Sequence, residues 1–321
     1  MFQPIHCGLS FSSENIHTAQ KHKQRAPFTQ AWEFLQNHNP ANDLEAIQLD
    51  GLRFRFENDA VAGERALERF NTDRMTRADQ NTPPIEAIAD TLAFMQCFEM
   101  LRDHPAFEDD KRAQWLEAFA DQVHRLSDQP DDDNTRMTDR LWRMTLNIGA
   151  GVTLEQEDSF MRGVDQFCAT IDDEVHPEGY ISAAVEQFPE AESLENQLLC
   201  VQALILSAEM AHHCGVHLWE HQKRGVSVLT AATYPLYYYF YPEKWKWNGE
   251  QWKPSEGVEP DVATRLFQKY SGFFEILNLR YGHPLKALEL ITDDLRPIYD
   301  PYGGGLTTLT HGVLKRHGLF G

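Results

Sequence analysis

Leu194-Glu195-Asn196-Gln197-Leu198-Leu199-Cys200-Val201-Gln202-Ala203-Leu204-Ile205-Leu206-Ser207-Ala208-Glu209-Met210-Ala211 is apolar nearly all round when wound as a helix. A surface helix keeps its apolar residues to one stripe, so a helix without a polar face is one enclosed by others. The run therefore predicts a buried helix at the centre of an all-α protein. The segments on either side of it carry the same period.

Upstream, Phe160, Val164, Phe167 and Ile171 recur at helical spacing, as do Leu141, Met144 and Ile148. Trp115, Phe119, Val123 and Leu126 follow Asp109-Asp110, and Ile85, Ile88, Leu92, Met95 and Leu101 follow Pro83-Pro84. Nearer the start, Ser12-Ser13-Glu14 offers capping groups to a helix through Ile16 and Ala19, and Pro27 opens one carrying Ala31, Trp32, Phe34 and Leu35. Downstream, helices are expected from Asp261 to Leu279 and from Pro284 to Ile291. No stretch alternates like a strand. About a dozen helices on mostly short loops make antiparallel hairpins, which close into a bundle, a solenoid or a toroid. No repeat at a fixed period is present, which favours an irregular toroid. No linker rich in Pro, Gly or Ser divides the chain, so residues 1–321 are expected to form a single domain.

The net charge of −20 argues against nucleic acid, whose binding rests on neutralised phosphates. It also requires that any polyanionic ligand meet cations gathered locally. No run approaches the length of apolar sequence that spans a membrane. The start, Met1-Phe2-Gln3-Pro4-Ile5-His6, lacks a basic region followed by an apolar one, so a cytoplasmic location is expected. Five scattered cysteines without a Cys-x-x-Cys pair are expected to be free thiols in a reducing compartment.

The central block is Gly179-Tyr180-Ile181, an irregular loop, the buried helix ending Ala208-Glu209-Met210-Ala211, and then Gly215-Val216-His217-Leu218-Trp219. It resembles alginate lyases of the α/α toroid type, which have an Asp-Gly-aromatic-Leu turn, a loop, a buried helix ending Ala-Glu-x-Ala, and Gly-Val-Asp-Leu. His6-Cys7-Gly8-Leu9 and Pro242-Glu243-Lys244-Trp245 add to the likeness. The resemblance implies an α/α toroid, an incomplete barrel of antiparallel helical hairpins. It also implies an acidic, uronate-containing polysaccharide or oligosaccharide as partner and a periplasmic location as is usual for such lyases; no cofactor or metal is expected. The chemistry implied is β-elimination: a uronate carboxylate is neutralised, the proton α to it is removed, and the leaving glycosidic oxygen is protonated. The family uses an Asn-Asn-His run, an Arg and a Tyr. Matching Trp142 to the Trp after that run puts Met137, Thr138 and Asp139 in those positions, and the Tyr position falls near Asn196. No arginine occurs between Arg162 and Arg224 to stand for the family's Arg. The fold carries over and this catalytic set does not.

Other residues are candidates for the lost roles. Arg136, Arg140 and Arg143 share one helical stripe, and arginine pairs with carboxylates through two hydrogen bonds. The alternative is pairing with Asp131, Asp132, Asp133 and Asp139. Arg140 and Arg136 are expected to neutralise the carboxylate, with Arg143, Trp142 and Asn196 beside them as substrate contacts. His176 and Tyr180 flank Pro177-Glu178-Gly179 and are expected as base and acid; the alternative is that they anchor a loop. Tyr234, Tyr237, Tyr238, Tyr239, Tyr241, Trp245, Trp247 and Trp252 form an aromatic run that suits sugar rings or a packed core, with Tyr238 and Trp245 taken as substrate contacts. His217-Leu218-Trp219-Glu220-His221 matches an inverted zinc-peptidase pattern, but Gly215 marks a helix end, and no zinc is expected there. Gly303-Gly304-Gly305 lacks the Lys of a phosphate loop and is expected to be a closing turn. Three other readings stay open: a saccharide-binding toroid without turnover, a hydrolase using carboxylates such as Asp139 and Glu178, and a zinc peptidase.

Overall fold

Helices dominate the computed structural model, which describes residues 2–70, 84–128, 135–250, 253–281 and 285–314. In chain order they are α1 (Ser13–Lys21), α2 (Phe28–Asn37), α3 (Asp43–Glu57), α4 (Ala60–Arg69), α5 (Pro84–Leu101), α6 (Asp109–Ser127), α7 (Met137–Thr153) and α8 (Glu157–Ala169). After these come α9 (Ser182–Val185), α10 (Glu190–His213), α11 (Val228–Thr233), α12 (Leu236–Phe240), α13 (Pro260–Lys269), α14 (Phe273–Arg280), α15 (Lys286–Leu295) and α16 (Thr307–His311). The only sheet among the described residues is the two-stranded ribbon β1 (Gln222–Lys223) and β2 (Val226–Ser227).

Burial sorts the helices into two layers. Helices α3, α5, α7, α10 and α14 are enclosed on nearly every face and pack in that order, each on the next. Outside them lie α4 on α3, α6 against α5 and α7, α8 on α7, α9 on α10 and α15 on α14. The ring closes through α16, which touches α14, α1 and α2. This is the α/α toroid that the periodicity and the resemblance implied. Because inner and outer helices alternate, the amino-terminal ends of the inner helices gather at one mouth of the ring. Layers this close need small residues: a Cβ on Gly163 of α8 would stand 2.5 Å from Ile148 Cγ1 of α7.

Both ends of the ring are filled by the chain itself. Asp300 is buried and accepts the N–H groups of Gly272, Tyr302 and Gly303, which locks the glycine-rich turn. Gln48 of α3 then donates to Pro301 O at 2.8 Å, and Gln96 of α5 to Gly304 O at 3.0 Å, so the turn lies across the inner helices. At the other end, residues near the start of the chain cover the mouth: Gln3 N–H donates to Cys214 O, and His6 Nδ1 lies 2.9 Å from Glu99.

One expectation changes in detail. The helix expected from Asp261 to Leu279 is two helices, α13 and α14, parted at Ser271-Gly272. Gly272 is there because a Cβ would stand 2.1 Å from Gly303 O. The first helix is capped by Ser12, one of the expected groups, in a capping box with Asn15, whose Oδ1 accepts Ser12 N–H at 3.0 Å. All five cysteines are free, and no helix among the described residues is long and apolar enough to cross a membrane.

Candidate functional site

Helix α8 ends in a π-helical turn, Thr170–Glu174, and the chain then doubles back in a tight hairpin closed by the Val175–Ile181 bridge. His176 N–H donates to Tyr180 O at 2.8 Å and Gly179 N–H to His176 O at 2.7 Å. Gly179 takes φ +104°, and a Cβ there would meet Thr230 O at 2.4 Å and Tyr234 Cβ at 2.7 Å, so the turn needs glycine twice over. The wholly buried Gln197 of α10 accepts Ile181 N–H at 3.1 Å and donates to Gly179 O at 3.2 Å. This clamp stacks the His176 and Tyr180 rings 4.3 Å apart at 20°.

Around the stack stand a cation and an indole. Lys246 Nζ lies 4.9 Å from both the Tyr180 and Trp247 ring centroids and 2.8 Å from Glu178 Oε2. Trp247 sits 4.7 Å from the Tyr180 ring and donates Nε1–H to Tyr234. Burial raises the Tyr180 phenol above its ordinary pKa, so it stays protonated at neutral pH. The hydrogen bond from Lys246 lowers the Glu178 carboxyl. His176 Nδ1 lies 3.2 Å from Glu178 N–H and accepts it, which leaves the proton of a neutral ring on Nε2. His176 therefore presents a donor to a ligand, and the base role expected from sequence lacks its lone pair.

The arginine stripe begins at the same mouth. Arg136, at the start of α7, donates to Glu192 at 3.0 Å and lies over Phe188. Arg140 approaches Glu174 at 3.8 Å, and Arg143 Nε donates to Asp139 O. Arg140 and Arg143 turn outward into a groove of about 240 Å³ between α6, α7 and α8, where Asn147, Gln166 and Asp173 also line the wall. Asn147 Oδ1 is buried there with no hydrogen-bond partner. Glu174 joins the groove to the hairpin two residues on. Asp131, Asp132 and Asp133, the expected alternative partners, lie outside the described residues.

Four expected substrate contacts are buried. Trp142 is 1% exposed and donates Nε1–H to Leu199 O, and Trp245 is 1% exposed and donates to Ser193 Oγ. Tyr238 is buried against Trp245 with its hydroxyl 3.3 Å from that of Tyr234, and Asn196 is buried on α10. These side chains are packed and offer no ring face or amide to a sugar. At the positions matching Asn-Asn-His, Met137 and Thr138 are buried, and burial raises the Asp139 carboxyl despite Arg143 and Arg136. Trp252 lies outside the described residues.

His217 and His221 flank a short 3₁₀ turn, Leu218–Glu220, rather than sharing a helix, and His221 Nε2 pairs with Asp172 Oδ1 at 2.9 Å. The ligand-type side chains that do converge are Glu209, His213 and His311. The sequence reading missed this set. Glu209 and His213 lie one helical turn apart, a usable signal, but nothing local brings His311 to them. Glu209 Oε1 is 3.2 Å from His213 Nε2 and 3.4 Å from His311 Nε2, and both rings also reach Ser10 O. Arg280 grips both carboxylate oxygens at 2.6 and 2.8 Å. One guanidinium already balances one carboxylate. A divalent cation would add two uncompensated charges to a buried site, so the set is built as a latch joining both chain ends to α10.

An alginate lyase family model matches residues 20–245. No curated protein sequence matches the chain. Among solved structures, an alginate lyase A1-III variant complexed with tetrasaccharide superposes with a TM-score of 0.67 at 19% identity, covering 88% of this chain and 81% of that one. Alginate lyase A1-III from Sphingomonas species A1 gives 0.64 at 18% identity, covering 86% and 80%. An alginate lyase from Bacteroides ovatus gives 0.69 at 11% identity, covering 96% and 99%. At these identities the structural likeness speaks for the fold.

Proposed function

The chain belongs to the alginate lyase family and is, in family and fold, a polysaccharide lyase; on that premise we propose that it engages a uronate-containing polysaccharide or oligosaccharide at the His176–Tyr180 hairpin. One observation carries this reading: a fixed ammonium (Lys246), a ring N–H (His176), a protonated phenol (Tyr180) and an indole (Trp247) surround one turn. In a β-elimination, Lys246 supplies charge for the carboxylate at the turn, Arg140 adds charge from the groove beside Glu174, and His176 Nε2–H gives a directed hydrogen bond. Tyr180, held protonated at neutral pH, hands its proton to the leaving oxygen, the α-proton passes to solvent water, and the phenolate regains a proton from solvent.

A second reading, binding without turnover, is favoured by a specific feature of the same cluster. The His176 Nδ1 lone pair accepts Glu178 N–H, and the Glu178 carboxyl is made a weaker base by Lys246, so neither is set to take the α-proton. Purified protein titrated with a panel of uronate polysaccharides separates the readings. Elimination yields an unsaturated uronate that absorbs in the ultraviolet, and binding alone yields saturable heat without that absorbance. New reducing ends without absorbance would point to hydrolysis. Neither heat nor product with any uronate polymer would remove the reading altogether.

A further inference from the structure

The aromatic run after Tyr234 divides by exposure in a way that its sequence does not announce. Tyr238 and Trp245 turn inward, whereas Tyr237, Phe240 and Tyr241 are 52%, 40% and 49% exposed. These three stand at i, i+3 and i+4, so they form one face of α12 and its end. Pro235 and Pro242 bracket the segment and hold its backbone. The Tyr237 and Tyr241 rings lie 5.1 Å apart and 32° from parallel, a tilted pair in contact that leaves each about half exposed.

A line of ring contacts, passing through the buried Tyr238, joins the face to the hairpin cluster. Tyr180 touches Tyr234 at 5.8 Å, Tyr234 touches Tyr238 at 5.3 Å, and Tyr238 touches Tyr237 at 5.2 Å. Tyr237, Phe240 and Tyr241 thus stand a few ring contacts from the hairpin, where a saccharide chain long enough to extend past Tyr234 would meet them. The C–H faces of sugars stack on aromatic faces through dispersion and the ring quadrupole, whatever the ligand's net charge. That matters in a chain of net charge −20, where cations along a polyuronate track are few.

We propose that Tyr237, Phe240 and Tyr241 form a stacking platform for the distal sugars of the ligand held at the His176–Tyr180 hairpin, which makes long oligosaccharides, rather than di- or trisaccharides, the preferred substrate class. The proposal rests on the functional reading above. The competing occupant of such a face is a second copy of the chain.

Calorimetric titration of a uronate trisaccharide and a uronate octasaccharide into wild type and a Tyr237→Ala/Tyr241→Ala variant tests it, with sedimentation velocity on both proteins. Thermal midpoints check that the variant is folded, which is expected because the rings are exposed. Wild type should bind the octasaccharide more tightly than the trisaccharide. The double variant should lose about three- to tenfold per ring for the octasaccharide and leave the trisaccharide unchanged. Equal loss at both lengths, or no loss, overturns the platform and leaves the functional reading intact. A wild-type dimer that the variant turns into monomer assigns the face to self-association instead. Wild type that binds neither oligosaccharide removes the functional reading and the platform with it.

Discussion

The side-chain amide of Gln197 reaches from the buried middle of α10 to the carbonyl of Gly179, 3.2 Å away, while its oxygen takes the N–H of Ile181 at 3.1 Å. A buried turn must place its backbone polar groups somewhere, and here one glutamine accounts for two of them. The hairpin that presents His176 and Tyr180 is thus held from behind by the helix whose apolar run defines the fold. Replacing Gln197 by Leu keeps the volume close and leaves both backbone groups unsatisfied. The variant should lose about 1–3 kcal/mol of stability in urea unfolding, and amide exchange should quicken at Ile181. A loss below about 0.5 kcal/mol, within the range of an ordinary surface change, would show that the clamp does not matter.

Gly179→Ala tests the same turn from the other side. The backbone angle and the contacts with Thr230 O and Tyr234 both oppose a Cβ. The substitution should cost about 1–3 kcal/mol. It should also alter the near-ultraviolet circular dichroism of the Tyr180–Tyr234–Trp247 group, with the far-ultraviolet signal kept.

His176→Gln separates a donor from a base. Glutamine keeps an N–H donor and has no titrating lone pair. If His176 holds the carboxylate through Nε2–H, turnover or binding should stay within about tenfold of wild type. A general base lost at this position would instead remove about 10²–10⁴ of the rate.

Arg140→Ala bears on the groove. Its side chain is partly exposed beside Glu174, so folding stability should change by less than about 1 kcal/mol. Uronate binding should weaken by about 1.5–3 kcal/mol if the guanidinium meets the ligand carboxylate out of water. Calorimetric affinities for the two proteins decide it, and equal affinities would leave Arg140 as a surface ion pair.

At the opposite mouth, burial pushes the Glu209 carboxyl up, but hydrogen bonds from His213, His311 and Arg280 outweigh it and hold the group well below the usual range. A depressed carboxyl stabilises the fold fully above its unfolded pKa, and that stability is lost as pH falls toward the native value. Arg280→Met should leave an uncompensated buried carboxylate, cost about 3–5 kcal/mol at neutral pH, and shrink the acid-side loss. Arg280→Lys should fall between the two proteins. Urea unfolding at neutral pH and below the ordinary glutamate range measures both effects, and an unchanged acid profile in Arg280→Met would contradict the assignment.

Helix identity was legible in the chain because periodicity is a local property. The Leu194–Ala211 run, with no polar face, had to lie inside other helices, and it is the buried core of α10. Ile85, Ile88, Leu92 and Met95 likewise announced α5. The break at Ser271-Gly272 was not legible, because it is made by Asp300 and Gly303 from later in the chain.

The site was legible only in part. The turn at Gly179-Tyr180 was legible through the family resemblance, which has a glycine–aromatic turn before the buried helix. Which aromatics face water depended on packing partners far away in sequence: Ser193 takes the Trp245 N–H, Leu199 takes that of Trp142, and Tyr237 and Tyr241 are left about half exposed among the described residues. The tautomer of His176 likewise depends on how the turn brings Glu178 N–H onto its ring. The amino-acid sequence by itself determined where helices form and which faces they bury, because apolar spacing along one helix needs no knowledge of its neighbours. Only the tertiary structure decided which polar and aromatic side chains stand together, because that depends on contacts such as Gln197 with Gly179 and Arg280 with Glu209, which no local pattern encodes.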